Sequence, residues 1–205
     1  PDLGHAAVVD VQPTDEPTAA TYTNTQVVQE YFREQEAKRR ESLAGKPNLV
    51  GMVGTVFPNM SYLARQPRSI AMWHPRGPNS TEAWRWFLID KNTPEEVKDV
   101  LRHYYIRYSG PSGMTEQDDM ENWNYAHNAS QGVIARRYPY NYQMGMGFDA
   151  PPVDTDGLEM PGQIRNVTTA KAAEQNQRGF YQRWNAFMQA PDWDTLATWR
   201  NGKGH

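Results

Sequence analysis

Val50-Gly51-Met52-Val53-Gly54-Thr55-Val56-Phe57 is a mostly apolar, valine-rich run cut off by Pro58-Asn59. Its length and its ending predict a buried strand. Downstream, Ile70-Ala71-Met72-Trp73 and Glu82-Ala83-Trp84-Arg85-Trp86-Phe87-Leu88-Ile89-Asp90 have the same character and are joined by Pro75-Arg76-Gly77-Pro78-Asn79. Together the three runs predict an antiparallel meander with one aromatic face. Upstream, Ala6-Ala7-Val8-Val9 reads as the inside of a further strand.

Helical periodicity surrounds this sheet. Residues 10–23 are rich in Pro, Thr and Asp and read as a loop, after which Gln26–Ser42 sets Val27, Val28, Tyr31 and Phe32 among dense charges. That pattern predicts a surface helix with one apolar stripe, broken by Gly45-Lys46-Pro47. Thr93-Pro94-Glu95-Glu96 has the spacing of a capping box, and the helix it opens carries Val97, Val100, Leu101, Tyr104 and Tyr108 on its buried face. Ser109-Gly110-Pro111-Ser112-Gly113 ends it. Prolines and glycines over 132–163 predict an ordered loop packed by its own aromatics, and a last helix, about Thr169–Ala190, turns Phe180, Tyr181, Trp184 and Phe187 inward.

The 205 residues, 38% hydrophobic and 12% aromatic, suffice for one sizeable core, so a single domain over 1–205 is expected. A net charge of −3 with no basic stripe argues against nucleic acid as a partner. The absence of cysteine removes disulfides, thiolate nucleophiles and cysteine-held metals from this polypeptide, so any metal must use His, Asp or Glu. No apolar run approaches the ~18–20 residues that span a bilayer, and no signal segment opens the chain. The expectation is a soluble, cytoplasmic protein, and the missing initiator methionine suggests a fragment of something longer.

Chemistry concentrates in Thr115-Glu116-Gln117-Asp118-Asp119-Met120-Glu121-Asn122-Trp123. A threonine followed by acids is a common helix start, in which the side chains serve orphan N–H groups and the helix dipole. Asp119, Trp123 and Ala126 nevertheless fall at i, i+4 and i+7, the inward stripe, whereas Glu116, Gln117 and Glu121 can remain in water. An inward aspartate needs a cation or strong donors. The five histidines, His5, His74, His103, His127 and His205, show no HxxxH or HExxH spacing. His127 shares the acidic helix but lies about 12 Å along its axis from Asp119, too far to chelate one ion with it. Neither a glycine-rich phosphate cradle nor a nucleophile elbow is present.

Several segments together resemble the large (alpha) subunit of Rieske non-haem iron ring-hydroxylating dioxygenases, especially the type acting on polycyclic aromatic hydrocarbons. They are Gly4-His5-Ala6-Ala7-Val8-Val9-Asp10, Thr55-Val56-Phe57-Pro58-Asn59-Met60-Ser61-Tyr62-Leu63, Trp73-His74-Pro75-Arg76-Gly77-Pro78, Gly110-Pro111-Ser112-Gly113 with Glu116-Gln117-Asp118-Asp119, and Arg178-Gly179-Phe180-Tyr181. The resemblance covers nearly the whole chain, in the family's order and spacing. It implies an α+β fold in which a curved antiparallel sheet wraps helices around an apolar cavity, the START-like helix-grip arrangement.

It further implies that Asp119 is the carboxylate of a two-histidine, one-carboxylate site for mononuclear Fe(II), a set that leaves room for dioxygen beside the substrate. Val8, Val53, Leu63, Ser109 and Thr115 would line the substrate cavity. The serine and threonine, where some relatives carry bulky aromatics, would leave room for two or more fused rings. The reaction implied adds both oxygen atoms to one face of an arene, giving a cis-dihydrodiol. Electrons would come from NADH through a reductase and a ferredoxin to a Rieske [2Fe-2S] cluster. In the family, the two histidine ligands and the Cys2His2 Rieske domain lie upstream of the matching segments, so the chain is expected to be the C-terminal part of the catalytic domain. A trimer of large subunits, with or without a small subunit, is the implied assembly. The competing readings are a metal-free module that holds an apolar ligand and a packing role for the acidic helix.

Overall fold

The computed structural model describes residues 3–12, 25–44, 48–147, 149–150, 167–168 and 173–196. Within it the Val50–Phe57 run becomes most of the second strand of a five-stranded antiparallel sheet. The order is β1 (Ala6–Gln12), β2 (Asn48–Val56), β3 (Met60–Leu63), β4 (Ser69–Pro75) and β5 (Thr81–Phe87), each strand pairing with the next in sequence. The meander is as expected, except that β3, four residues long, is too short to announce itself by alternation. One helix, α1 (Gln26–Leu43), enters between β1 and β2. The loop expected from residue 10 starts later, since β1 runs on through Gln12, and residues 13–23 and the Gly45-Lys46-Pro47 break lie outside the described residues.

Residues paired across an antiparallel ladder share a face. Val8, Val53, Leu63, Ser69 and Phe87 therefore form one lateral row, and Ala6, Thr55, Ser61, Ala71 and Arg85 form the row beside it. This is the face toward the helices, because the Phe87 ring stacks on Tyr105 of α2 (Glu95–Ser109) with centroids 4.6 Å apart. The opposite face carries Gly54, Tyr62, Ile70 and Trp86 in one row and Val56, Met60, Met72 and Trp84 in the next. Gly54 lets the Tyr62 ring lie across the strand there, since a Cβ would displace that ring. The aromatic face expected of the meander is this outer one, with Trp84 and Trp86 about half exposed.

The core lies where α1 and α2 cross the β5 end of the sheet. Val28, Val97 and Leu101 are buried, with Val27, Tyr31, Phe32, Phe87, Ile89 and Val100 packed around them. Thr93 does not cap α2. Its side chain is buried, and its hydroxyl is 3.0 Å from the Tyr31 hydroxyl of α1, while Pro94 occupies the cap position with no side-chain hydrogen bond. The threonine thus spends its hydrogen bond in joining two helices, a competing use that local spacing does not show.

At the other end of the sheet, α4 (Gln175–Gln189) packs Phe180 and Phe187 onto Phe57, with centroids 5.1 and 5.2 Å apart. The expected start near Thr169 lies outside the described residues. Tyr181 and Trp184, expected inward, are about half exposed. Arg183 takes the inner line instead, its stem buried and its guanidinium 4.8 Å above the Phe187 ring. In the loop that follows residue 131, Tyr142 reaches Tyr140 and Tyr181, but Tyr138 and Tyr140 stand largely in solvent, and residues 151–163 are not described.

Candidate functional site

The turn after α2 is tight. Gly113 N–H donates to the Gly110 carbonyl at 2.7 Å and Met114 N–H to the Arg107 carbonyl at 2.8 Å, and a Cβ on Gly110 would strike the Ile106 carbonyl. It delivers the chain directly into α3 (Glu116–Ser130), so that Ser109 and the first acids of α3 meet at one junction. Thr115 occupies the cap position without a side-chain cap bond.

The buried residue of α3 is Glu116, not Asp119. Glu116 is 8% exposed and forms an ion pair with Arg85 of β5, whose guanidinium also donates to Ser69 Oγ at 3.2 Å. Burial pushes the Glu116 carboxyl above its ordinary range, against the pull of the Arg85 guanidinium and the Ser109 hydroxyl, and the Asp119 charge adds to the rise. Burial likewise raises the neighbouring Tyr105 phenol. Farther along α3, Trp123 meets Trp73 edge to face at 5.5 Å, and Trp73 Nε1–H donates to Ser61 Oγ at 2.8 Å. His127 Nε2 lies 3.2 Å from Asn79 Oδ1 in the β4–β5 turn.

The line by which α3 rests on the sheet is therefore Glu116, Trp123 and His127. The expected inward stripe of Asp119, Trp123 and Ala126 is displaced: at 100° per residue Asp119 lies about 60° round the helix from Glu116. Asp119 and Ala126 are both exposed, on one flank of the contact line. The cause is Arg85, which alternation in β5 puts on the helix side between Ala83 and Phe87. A half-buried cation there favours a carboxylate partner, and Glu116 supplies it. That parity was the available signal, masked by the two tryptophans that flank Arg85.

The other expected site residues fall into two groups. Val8 and Val53, 43% and 41% exposed, and the half-buried Leu63 stand side by side in the lateral row. Ser109, buried, and Thr115, half-buried, flank Glu116. Both groups belong to the helix side of the sheet, and they are connected through Ser69, which pairs with Leu63 and bonds Arg85. Among the described residues no three His, Asp or Glu side chains converge into a set that could hold a metal ion. The described residues therefore do not by themselves make up a complete donor set for a metal ion.

A family model described as the ring hydroxylating alpha subunit (catalytic domain) matches residues 4–190. The chain belongs to this family. It is 35% identical over 188 residues to the biphenyl dioxygenase alpha subunit of Paraburkholderia xenovorans, covering 89% of this chain and 39% of that protein. It is 38% identical over 146 residues to a benzene 1,2-dioxygenase alpha subunit of Pseudomonas putida, covering 71% and 31%. Among solved structures, naphthalene 1,2-dioxygenase from Rhodococcus sp. bound to indole superposes with a TM-score of 0.65 at 28% identity, covering 92% of this chain and 44% of that one. The chain thus spans about two fifths of the length of the biphenyl dioxygenase subunit. Its α+β architecture is that of the family, as the sequence resemblance implied. No described helix is long and apolar enough to cross a membrane.

Proposed function

We propose that this chain is the C-terminal part, a single domain, of the catalytic domain of a cytoplasmic aromatic-ring dioxygenase, and that the whole subunit converts a polycyclic arene to a cis-dihydrodiol. The observation that carries this reading is the family match over nearly the whole chain, in which Asp119 stands on the exposed flank of α3, on the helix side of the sheet. The names of the relatives, which include biphenyl, benzene and naphthalene dioxygenases, support an arene as substrate.

In this reading Asp119 contributes the single carboxylate of a mononuclear Fe(II) site, whose two histidines come from polypeptide outside this sequence. Iron would activate dioxygen there, with electrons delivered from a Rieske [2Fe-2S] cluster served by a ferredoxin and a reductase. The chain's own part is the setting. Val8, Val53 and Leu63 offer an aliphatic surface that holds the arene by excluding water, and Ser109 and Thr115 are small enough to admit a second ring. Trimers of the subunit, with or without a small subunit, complete the assembly.

The test is Asp119→Ala in the full-length subunit. Turnover and mononuclear iron should both disappear while the circular dichroism spectrum is unchanged, because an exposed side chain supports little of the fold. A variant that kept its iron and its turnover would remove Asp119 from the site.

A further inference from the structure

Of the fifteen residues of α3, Glu116 is the buried one. The rest of the helix rests on the sheet by contacts open to solvent: Trp123 is 52% exposed, and His127 and its partner Asn79 are exposed too. Being open to solvent, a single ring-edge contact and a surface hydrogen bond constrain the helix only weakly, since each exchanges against water at little net cost. A guanidinium–carboxylate pair is directional, since the planar fork accepts a carboxylate only along its donor axes. Arg85 is itself held, rooted in the sheet between Ala83 and Phe87 and bonded to Ser69 Oγ at 3.2 Å.

We propose that Glu116 is a positioning residue for Asp119: gripped by Arg85 and closed in by Ser109, it fixes the rotation of α3 on the sheet and thereby the place of the carboxylate one turn further on. The inference rests on the reading of Asp119 given above. The two acids are three positions apart, about 4.5 Å along the axis, less than one full turn of the same helix. Their backbones are tied as well, for Asp119 N–H points to the carbonyl of Thr115, the residue before Glu116, at 3.4 Å. Rotation of α3 about its axis would swing Asp119 away from its flank position even with the helix intact.

The experiment uses the full-length subunit in four forms beside the wild type: Glu116→Ala, Glu116→Gln, the pair Arg85→Met with Glu116→Leu, and Asp119→Ala. Each is measured for Fe(II) affinity by equilibrium dialysis, amide hydrogen exchange over residues 117–126, and melting temperature. The paired variant strands no charge and should melt close to the wild type. It should nevertheless bind Fe(II) about tenfold more weakly, the scale on which groups that orient metal ligands act. Its amides at 117–120 should exchange about tenfold faster. Glu116→Ala should show both effects more strongly, and Glu116→Gln, which keeps an acceptor facing Arg85, should recover much of the affinity. Asp119→Ala should lose Fe(II) with α3 exchange unchanged. Wild-type Fe(II) affinity and exchange in the paired variant would overturn the positioning role while leaving the function standing. Full affinity in Asp119→Ala would overturn the function, and the positioning role with it.

Discussion

Helices α2 and α3 are equal in length and follow one another directly, yet they meet the sheet in opposite ways. On α2, Val97 and Leu101 are buried against Val28 of α1, and the stacked Phe87 and Tyr105 rings extend that contact onto β5. On α3 the one buried side chain is a glutamate, and Trp123, Tyr125 and Met120 are substantially exposed. The first helix is held by removal of apolar surface from water and is insensitive to small changes of angle. The second is held by a charge pair and is oriented by it. Stability and orientation are assigned here to neighbouring elements.

That contrast breaks most visibly at Leu101. Leu101→Ala should destabilise the chain by about 3 kcal/mol in denaturant titration, the usual range for a buried leucine being about 2–5 kcal/mol. Trp123→Ala removes a larger side chain but should cost only about 1 kcal/mol, since half of it is already in water and its main gain is one ring-edge contact. Equal losses in the two variants would show that α3 is packed as deeply as α2.

The smallest effect concerns pH. Glu116 has a native pKa raised above the ordinary 4.5, because burial outweighs the pull of Arg85. Between 4.5 and the native value the folded state holds the proton more readily than the unfolded chain does. This group's contribution is therefore complete below 4.5 and declines as pH rises through the native value. Wild type should lose stability relative to Glu116→Gln as pH is raised through that window. A flat difference would place the carboxylate in a more solvated position than its ion pair implies.

How much of this was legible depends on where the deciding partner lies. The runs at Val50–Phe57, Ile70–Trp73 and Glu82–Asp90 and the stripe on α2 are local patterns, and the structure has strands and a buried helix face there. Thr93 defeats local reading because Tyr31, sixty-two residues away, takes the hydroxyl that a capping box would use. The face of α3 is ambiguous for a related reason. Asp119–Trp123–Ala126 and Glu116–Trp123–His127 are both acceptable helical lines sharing one tryptophan, and only Arg85 on a separate strand chooses between them. The family resemblance succeeded because it matched ordered segments and so did not depend on periodicity. It says nothing of Glu116, whose burial depends on the partner it finds on β5.

The lateral row Val8, Val53, Leu63, Ser69, Phe87 runs from open to closed across the sheet, with Val8 and Val53 exposed, Ser69 buried and Phe87 packed under α2. A mutation at the valine end changes the shape of the surface while removing little buried area, whereas one at the phenylalanine end disturbs the core. The gradient separates positions where a change alters surface shape from positions where it alters the core. Substitutions at Val8 and Val53 therefore fall within the small stability margin of a natural domain, without a compensating substitution elsewhere.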